Sequence, residues 1–153
     1  MMWLMELTRV LFLCVHNSAR SQMAEGLLRS MAGHAVDVQS AGLEAGRLRP
    51  EAVKVMGELG LDISRQWSKS VEELAGERFE IVVTTCEEAK EACPYFPGAA
   101  MTLHWDLPDP AAVAGDEDAR LAAFRDVRDE LWSHIADLVR MIERSYSVAS
   151  RKR

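Results

Sequence analysis

The sequence predicts an α/β fold: a three-layer sandwich in which a central, parallel, four-stranded sheet is flanked by helices. Strand-like and helix-like segments alternate along the chain. The first strand candidate, Val10-Leu11-Phe12-Leu13, is apolar without a break, as expected of a strand buried on both faces. Short strands separated by helices imply a parallel sheet with helices on each side.

Each element has its own signal. After the first strand, Met23, Ala24, Leu27, Leu28 and Met31 form a helical stripe over residues 21–31, with Gly33 as a stop. Val36 to Ser40 alternates like a strand and ends at Ala41-Gly42. Pro50 opens a second helix with Ala52, Val53, Met56 and Leu59 on one face and Gly60 closing it. Phe79 to Thr85 reads as a strand entering Cys86, and Met101 to Trp105 as a weaker one. A long helix begins near Asp118, with Leu121, Phe124, Val127, Leu131, Ile135, Leu138 and Ile142 spaced by three or four. Ligands of such sheets sit at the carboxyl ends of the strands, and Cys14 and Cys86 each directly follow a strand.

The 153 residues fit one domain, 1–153, with 1–7 a peripheral extension and 146–153 a peripheral tail whose basic end, Arg151-Lys152-Arg153, is expected to fray. A composition of 48% hydrophobic and 27% charged residues is that of a globular protein. The net charge of -6 argues against a general nucleic-acid binder, which needs a basic face. No stretch reaches the ~20 apolar residues of a membrane span, and none reads as a signal peptide. The expected compartment is therefore the cytoplasm, and the expected state a monomer. Three cysteines in a cytosolic chain are not a paired disulfide framework, which leaves inert thiols, a metal site or redox chemistry.

The strongest local signal is Cys14-Val15-His16-Asn17-Ser18-Ala19-Arg20-Ser21, between the first strand and the first helix. A loop leading into a helix N-terminus points several backbone N–H groups at one spot, where the helix dipole favours negative charge. The planar fork of Arg20 suits two oxygens of a tetrahedral oxyanion. The same surroundings favour the thiolate of Cys14, and the Ser21 hydroxyl can donate to that sulfur. Small Ser18 and Ala19 let the backbone curl around the anion. An isolated Cys and Arg at this spacing would read as a strand-end cysteine and a solvated helix residue; the strand-to-helix junction outweighs that.

Cys86 and Cys93 are seven positions apart. On an intact helix they would lie ~10.5 Å apart along the axis, whereas a disulfide needs Cα atoms within about 7 Å. Joining them requires the segment to loop out or unwind. Glu87, Glu88 and Glu91 give it a solvated face and Pro94 ends it. Taken alone, the two are a strand-end packer and a helix-face packer. A structural zinc lacks a close C-x-x-C pair or a partnered histidine, and His16, His34, His104 and His134 are scattered. A proton donor for oxyanion chemistry is available in Asp106-Leu107-Pro108-Asp109-Pro110, as Asp109 or Asp106, although Asp-Pro is also a common turn.

The cradle resembles that of the low-molecular-weight tyrosine phosphatase family, and its extension Asn17 to Gly26 looks closer to the thioredoxin-coupled arsenate reductases sharing that fold. The resemblance covers most of the chain, including Ser40-Ala41-Gly42 and the Cys86–Cys93 region. It implies Cys14 as nucleophile, Arg20 as oxyanion clamp, Ser21 as thiolate stabiliser and Asn17 as loop brace. It further implies Asp109 as the acid, and Cys86 and Cys93 as the intermediate and final thiols of a relay reduced by thioredoxin. The implied substrate is arsenate, with phosphate or sulfate able to occupy the same cradle, residues 14–21. Ala111 and Ala112 follow Asp109-Pro110 where the phosphatases carry an aromatic, which tilts away from phosphotyrosine.

The pattern departs at one place. Related reductases bind potassium through residues matching Asn17, Glu25 and Ser40 plus an acidic residue, whose place is taken here by Lys69. The expectation is no metal and no cofactor, with the Lys69 ammonium replacing potassium by pairing with Glu25. The rival readings are a low-molecular-weight tyrosine phosphatase using Cys14, Arg20 and Asp109, an enzyme forming an arsenate–mycothiol adduct, and a non-enzymatic oxyanion or redox sensor.

Overall fold

The structure, a computed structural model, describes residues 7–93, 96 and 98–151, and the side chains of these as far as Ser145. Most of the N-terminal extension, Pro94 and the last two basic residues lie outside that range. Strands β1 (Thr8–Cys14), β2 (Val36–Gly42), β3 (Ile81–Thr84) and β4 (Met101–His104) form one sheet in the order β2-β1-β3-β4. Every pairing is parallel, with Leu13 opposite Ala41 and Thr84, and Thr84 opposite His104. The expected four-stranded parallel sheet is the one observed.

Helices α1 (Arg20–Ala32), α2 (Pro50–Gly57), α3 (Glu87–Glu91) and α4 (Glu117–Arg151) connect and cover it, with short 3-10 turns at Val71–Leu74 and Pro110–Ala112. The pleat of β1 divides the core. Val10 and Phe12 face one cluster with Met23, Leu27, Val55, Phe124, Leu131 and Ile135, contributed by α1, α2 and α4. Leu11, Leu13 and Cys14 face the other, with Val71, Leu74, Phe79, Cys86 and Ala89. One face is thus packed by long helices, and the other by short pieces that include both strand-end cysteines. All seven apolar positions assigned to the long helix are buried. Each such side chain contributes ~1.5–3 kcal/mol on leaving water.

Some boundaries and faces differ from expectation. The third strand is shorter than 79–85 and runs Ile81–Thr84; Phe79 before it is buried in the second cluster, and the Glu80 carbonyl accepts from Ala100 and Met101. The buried side of α2 is Ala52, Val55 and Met56, whereas Leu59 is 40% exposed beyond the helix end. Gly60, at φ 77°, lies in the turn after α2, where it lets the Leu61 N–H reach the Met56 carbonyl at 3.1 Å. Gly33 follows α1 as expected, but with right-handed φ of -57°. Helix α4 continues as far as Arg151. Among the described residues, no helix is long and apolar enough to cross a membrane.

Candidate active site

The Cys14–Arg20 loop hangs between the end of β1 and the start of α1 because its interior polar groups are all tied back. Asn17 stands at φ 52°, a left-handed conformation that asparagine tolerates better than most residues. Its Nδ2 donates to Ser21 Oγ (2.8 Å) and Ser40 Oγ (3.0 Å), while its Oδ1 accepts from the Lys69 backbone N–H (3.0 Å) and Gln22 Nε2 (3.1 Å). Gln22 also donates to the Asn17 carbonyl and the Trp67 carbonyl, each at 3.0 Å. Gly42 abuts the loop so closely that a Cβ there would sit 2.6 Å from the Val15 carbonyl oxygen and 2.7 Å from Asn17 N. Only glycine fits the end of Ser40-Ala41-Gly42.

This bracing presents the thiol of Cys14. Its Sγ lies 2.8 Å from Ser21 Oγ and accepts the Asn17 backbone N–H at 3.2 Å. The first turn of α1 has no side-chain cap and no acidic residue, so its free amides and its positive dipole end are left for an anion. Arg20 is buried. Its Nη1 donates to the Leu107 carbonyl (3.1 Å), which ties the cradle to the loop carrying Asp109; its other nitrogens have no protein acceptor among the described residues.

A cavity of about 310 Å³ opens above the sulfur, lined by Cys14, His16, Ser18, Ala19, Arg20, Gly46, Arg47, Arg49, Asp109 and Ala111. The structure brings Cys14, Arg20 and Asp109 together there. Asp106 does not line the cavity. Asp109 caps the Pro110–Ala112 turn, with Oδ1 accepting the Ala111 N–H at 3.0 Å. His16, exposed at the rim, pairs with Glu44 at 2.8 Å. Val15 helps to shape the loop through its carbonyl, which accepts the Glu44 N–H at 3.0 Å.

Sequence reasoning missed Gln22, the Leu107 carbonyl, and Arg47 and Arg49. Gln22 lies inside the quoted motif, but only its contacts reveal its work. The two arginines come from a loop with no motif of its own, and they reach the cavity because β2 pairs with β1.

Cys86 is buried at the N-cap of α3, in the same apolar cluster as Cys14, and Cys93 is half-buried against that cluster. No disulfide joins Cys14, Cys86 and Cys93 to one another. Burial pushes the Cys86 thiol up, against the opposing influence of the Ala89 N–H on its sulfur and of nearby Arg20. Burial likewise raises Cys93. The helix between them is only five residues long, since Cys86 is extended and Ala92 already departs from helical geometry.

Lys69 is buried beneath the cradle, and burial lowers its pKa while Glu25 opposes that shift. A direct Lys69–Glu25 ion pair is not formed. Glu25 is instead held by Arg29 (2.8 Å) and the Ser40 hydroxyl (2.7 Å), and Lys69 Nζ lies over the Trp67 ring, 4.7 Å from its centroid.

An α/β sheet that presents a cysteine, an arginine and a helix N-terminus around one anion-sized hollow defines a cysteine-dependent oxyanion-binding protein. More particularly, the profile of the low-molecular-weight phosphotyrosine protein phosphatases matches residues 9–148, and the chain belongs to that family. It is 43% identical over 126 residues to an arsenate reductase of Halalkalibacterium halodurans, covering 82% of this chain and 91% of that one. Among solved structures, an arsenate reductase in the phosphate-binding state superposes with a TM-score of 0.78 at 32% identity, over 89% of this chain and 99% of that one. A thioredoxin-dependent arsenate reductase of Corynebacterium glutamicum gives a TM-score of 0.73 at 30% identity, over 94% of this chain and 65% of that one.

Proposed function

We propose that this chain reduces arsenate to arsenite through a Cys14–Cys86–Cys93 relay regenerated by thioredoxin. The observation that carries the reading is the placement of two strand-end thiols, Cys14 and Cys86, in one buried cluster with a third thiol, Cys93, at its edge. A phosphatase needs only the first. The similarity to arsenate reductases, one of them thioredoxin-dependent, supports the same choice.

Arsenate is held by the loop amides and Arg20. Cys14 Sγ attacks arsenic, and Asp109 protonates the departing oxygen, which leaves as water. The Cys86 thiolate then attacks Cys14 Sγ. The sulfur–arsenic bond breaks with its electron pair on arsenic, giving arsenite and a Cys14–Cys86 disulfide. Cys93 attacks Cys86 Sγ, freeing the Cys14 thiolate and forming a Cys86–Cys93 disulfide. A thioredoxin dithiol, at about -270 mV, reduces that bond and is itself oxidised. The short helix α3 suits this sequence, because only five residues must unwind to bring the two sulfurs together.

The cavity rim favours arsenate over phosphotyrosine. Ala111, Arg47 and Arg49 line it, and among the described residues no Phe, Tyr or Trp does. Weak phosphatase activity accompanies the reductase, since phosphate and arsenate have the same shape and charge.

Residues near the cradle do not suit a potassium ion. Lys69 and Arg29 already set two cations against Glu25, which disfavours a third. Turnover is therefore expected to be the same in potassium and sodium salts of equal strength; strong activation by potassium would sink this part of the proposal.

The relay is tested by arsenate-dependent NADPH oxidation with thioredoxin and thioredoxin reductase. Wild type should turn over many times and Cys93→Ser once. Hydrolysis of an aryl phosphate with no reductase turnover in either protein would make the chain a phosphatase whose extra cysteines are structural.

A further inference from the structure

Beyond the cradle, three ligand-bearing side chains converge where β3 and β4 end. Glu87 opens α3, His104 closes β4 and Asp106 follows it, and one ligand atom from each lies within 4.8 Å of the others. Thr84 holds the ring of His104. Its Nδ1 lies 2.8 Å from Thr84 Oγ1, and the Thr84 hydroxyl donates to the Leu103 carbonyl at 3.4 Å. When the Thr84 oxygen accepts the Nδ1–H, the lone pair is left on Nε2, the tautomer that a metal ligand needs. That atom is shielded from solvent and makes no hydrogen bond. It lies 3.3 Å from Glu87 Oε2, within ion-pair distance but out of hydrogen-bonding alignment. An imidazole nitrogen without a hydrogen bond thus stands beside two carboxylates.

We propose that His104 Nε2, Glu87 and Asp106 bind a divalent transition-metal ion of the zinc class, with water completing its shell. One imidazole nitrogen and two carboxylates on a divalent ion match zinc or cobalt better than magnesium or calcium, which take oxygen alone. Thr84 is the positioning residue, holding the ring through Nδ1 as the outer partners of ligand histidines do. Glu87 belongs to α3 and the other two ligands to the end of β4, so the ion ties the start of α3 to the sheet. It would thereby hold the segment that the relay has to move, a consequence resting on the proposed relay; the binding itself does not.

The experiment is a titration of Co2+ into the full-length reduced chain, read by visible absorption and by hydrogen exchange of the α3 amides. Wild type should saturate at one equivalent, with cobalt d–d bands and no sulfur-to-cobalt charge-transfer band, and the α3 amides should exchange more slowly. Asp106 is exposed, so Asp106→Asn tests the site without disturbing the core, and it should weaken binding about tenfold or more and remove the protection. Thr84→Val should weaken binding about tenfold, with the d–d bands unchanged in shape at saturation. Absence of saturable binding would overturn the proposal: Nε2 would then be satisfied by a proton shared with Glu87. So would a charge-transfer band that persists in Asp106→Asn and vanishes in Cys86→Ser, since the ion would then sit on the thiols.

Discussion

Asn17 shows how much one residue can settle. Its backbone N–H reaches the Cys14 sulfur while its side chain holds Ser21, Ser40 and the Lys69 N–H, so one left-handed residue orients the Cys14 thiol and anchors three segments. Cys86 shows the opposite case, a thiol whose ionisation is opposed by burial. Burial raises its pKa, and only the thiolate attacks sulfur, so formation of the Cys14–Cys86 disulfide in a single turnover should speed up with pH. Between pH 7 and the raised value the rate is expected to climb about tenfold per unit, as the thiolate fraction does. Rapid-quench measurement across that range checks it, and a flat profile would mean that Cys86 is already ionised when arsenic is bound.

At the scale of elements, α2 is fastened to α4 by a charge cluster. Glu58 accepts from Arg125 at 2.8 Å and from Arg128 at 2.8 Å, and Arg128 also donates to the Val55 carbonyl at 2.9 Å. The hydrogen bonds from Arg125 hold Glu58 down at about 2, well under its ordinary 4.5. A carboxylate depressed on folding stabilises the protein above its unfolded value and loses that contribution as pH falls through the folded one. Glu58→Gln should therefore lower Tm at neutral pH, and the difference from wild type should close between about pH 4.5 and about pH 2. An unchanged gap across that window would place the effect in packing rather than charge. The helix at Glu87–Glu91 is the contrasting element: five residues with a single buried side chain, Ala89. Little packing opposes its unwinding.

Across the whole molecule, stability and chemistry occupy opposite faces of the sheet. The long-helix face holds the larger apolar cluster, whereas the other face, with the cysteines, is closed by short segments. Removing bulk from the first face should cost stability without changing the cradle. Leu131→Ala, at a fully buried position of α4, is expected to lose ~2–5 kcal/mol in urea unfolding. Its turnover at temperatures where it stays folded should match wild type. A loss of turnover in the folded variant would show the two faces to be coupled.

Much of this was legible in the sequence, because periodicity and junctions are local properties. The unbroken apolar run of β1, the stripe of α4 and the cradle between β1 and α1 each follow from neighbouring residues, and the parallel sheet follows from their order. The long pattern in α4 was read without error, since many repeats average out any single exception. Short elements were read less well: the face of α2 and the span of β3 turned on one or two residues, Leu59 and Phe79, whose places depend on distant packing. The tertiary structure brings Asp109, the carboxylate that the resemblance favours, to the cradle and leaves Asp106 outside the cavity, a difference that local spacing alone does not give. It also decided that Glu25 contacts Arg29 rather than Lys69, and that Arg47 and Arg49 join the cavity. Such pairings depend on which strand ends lie side by side, and chain order does not encode that distance.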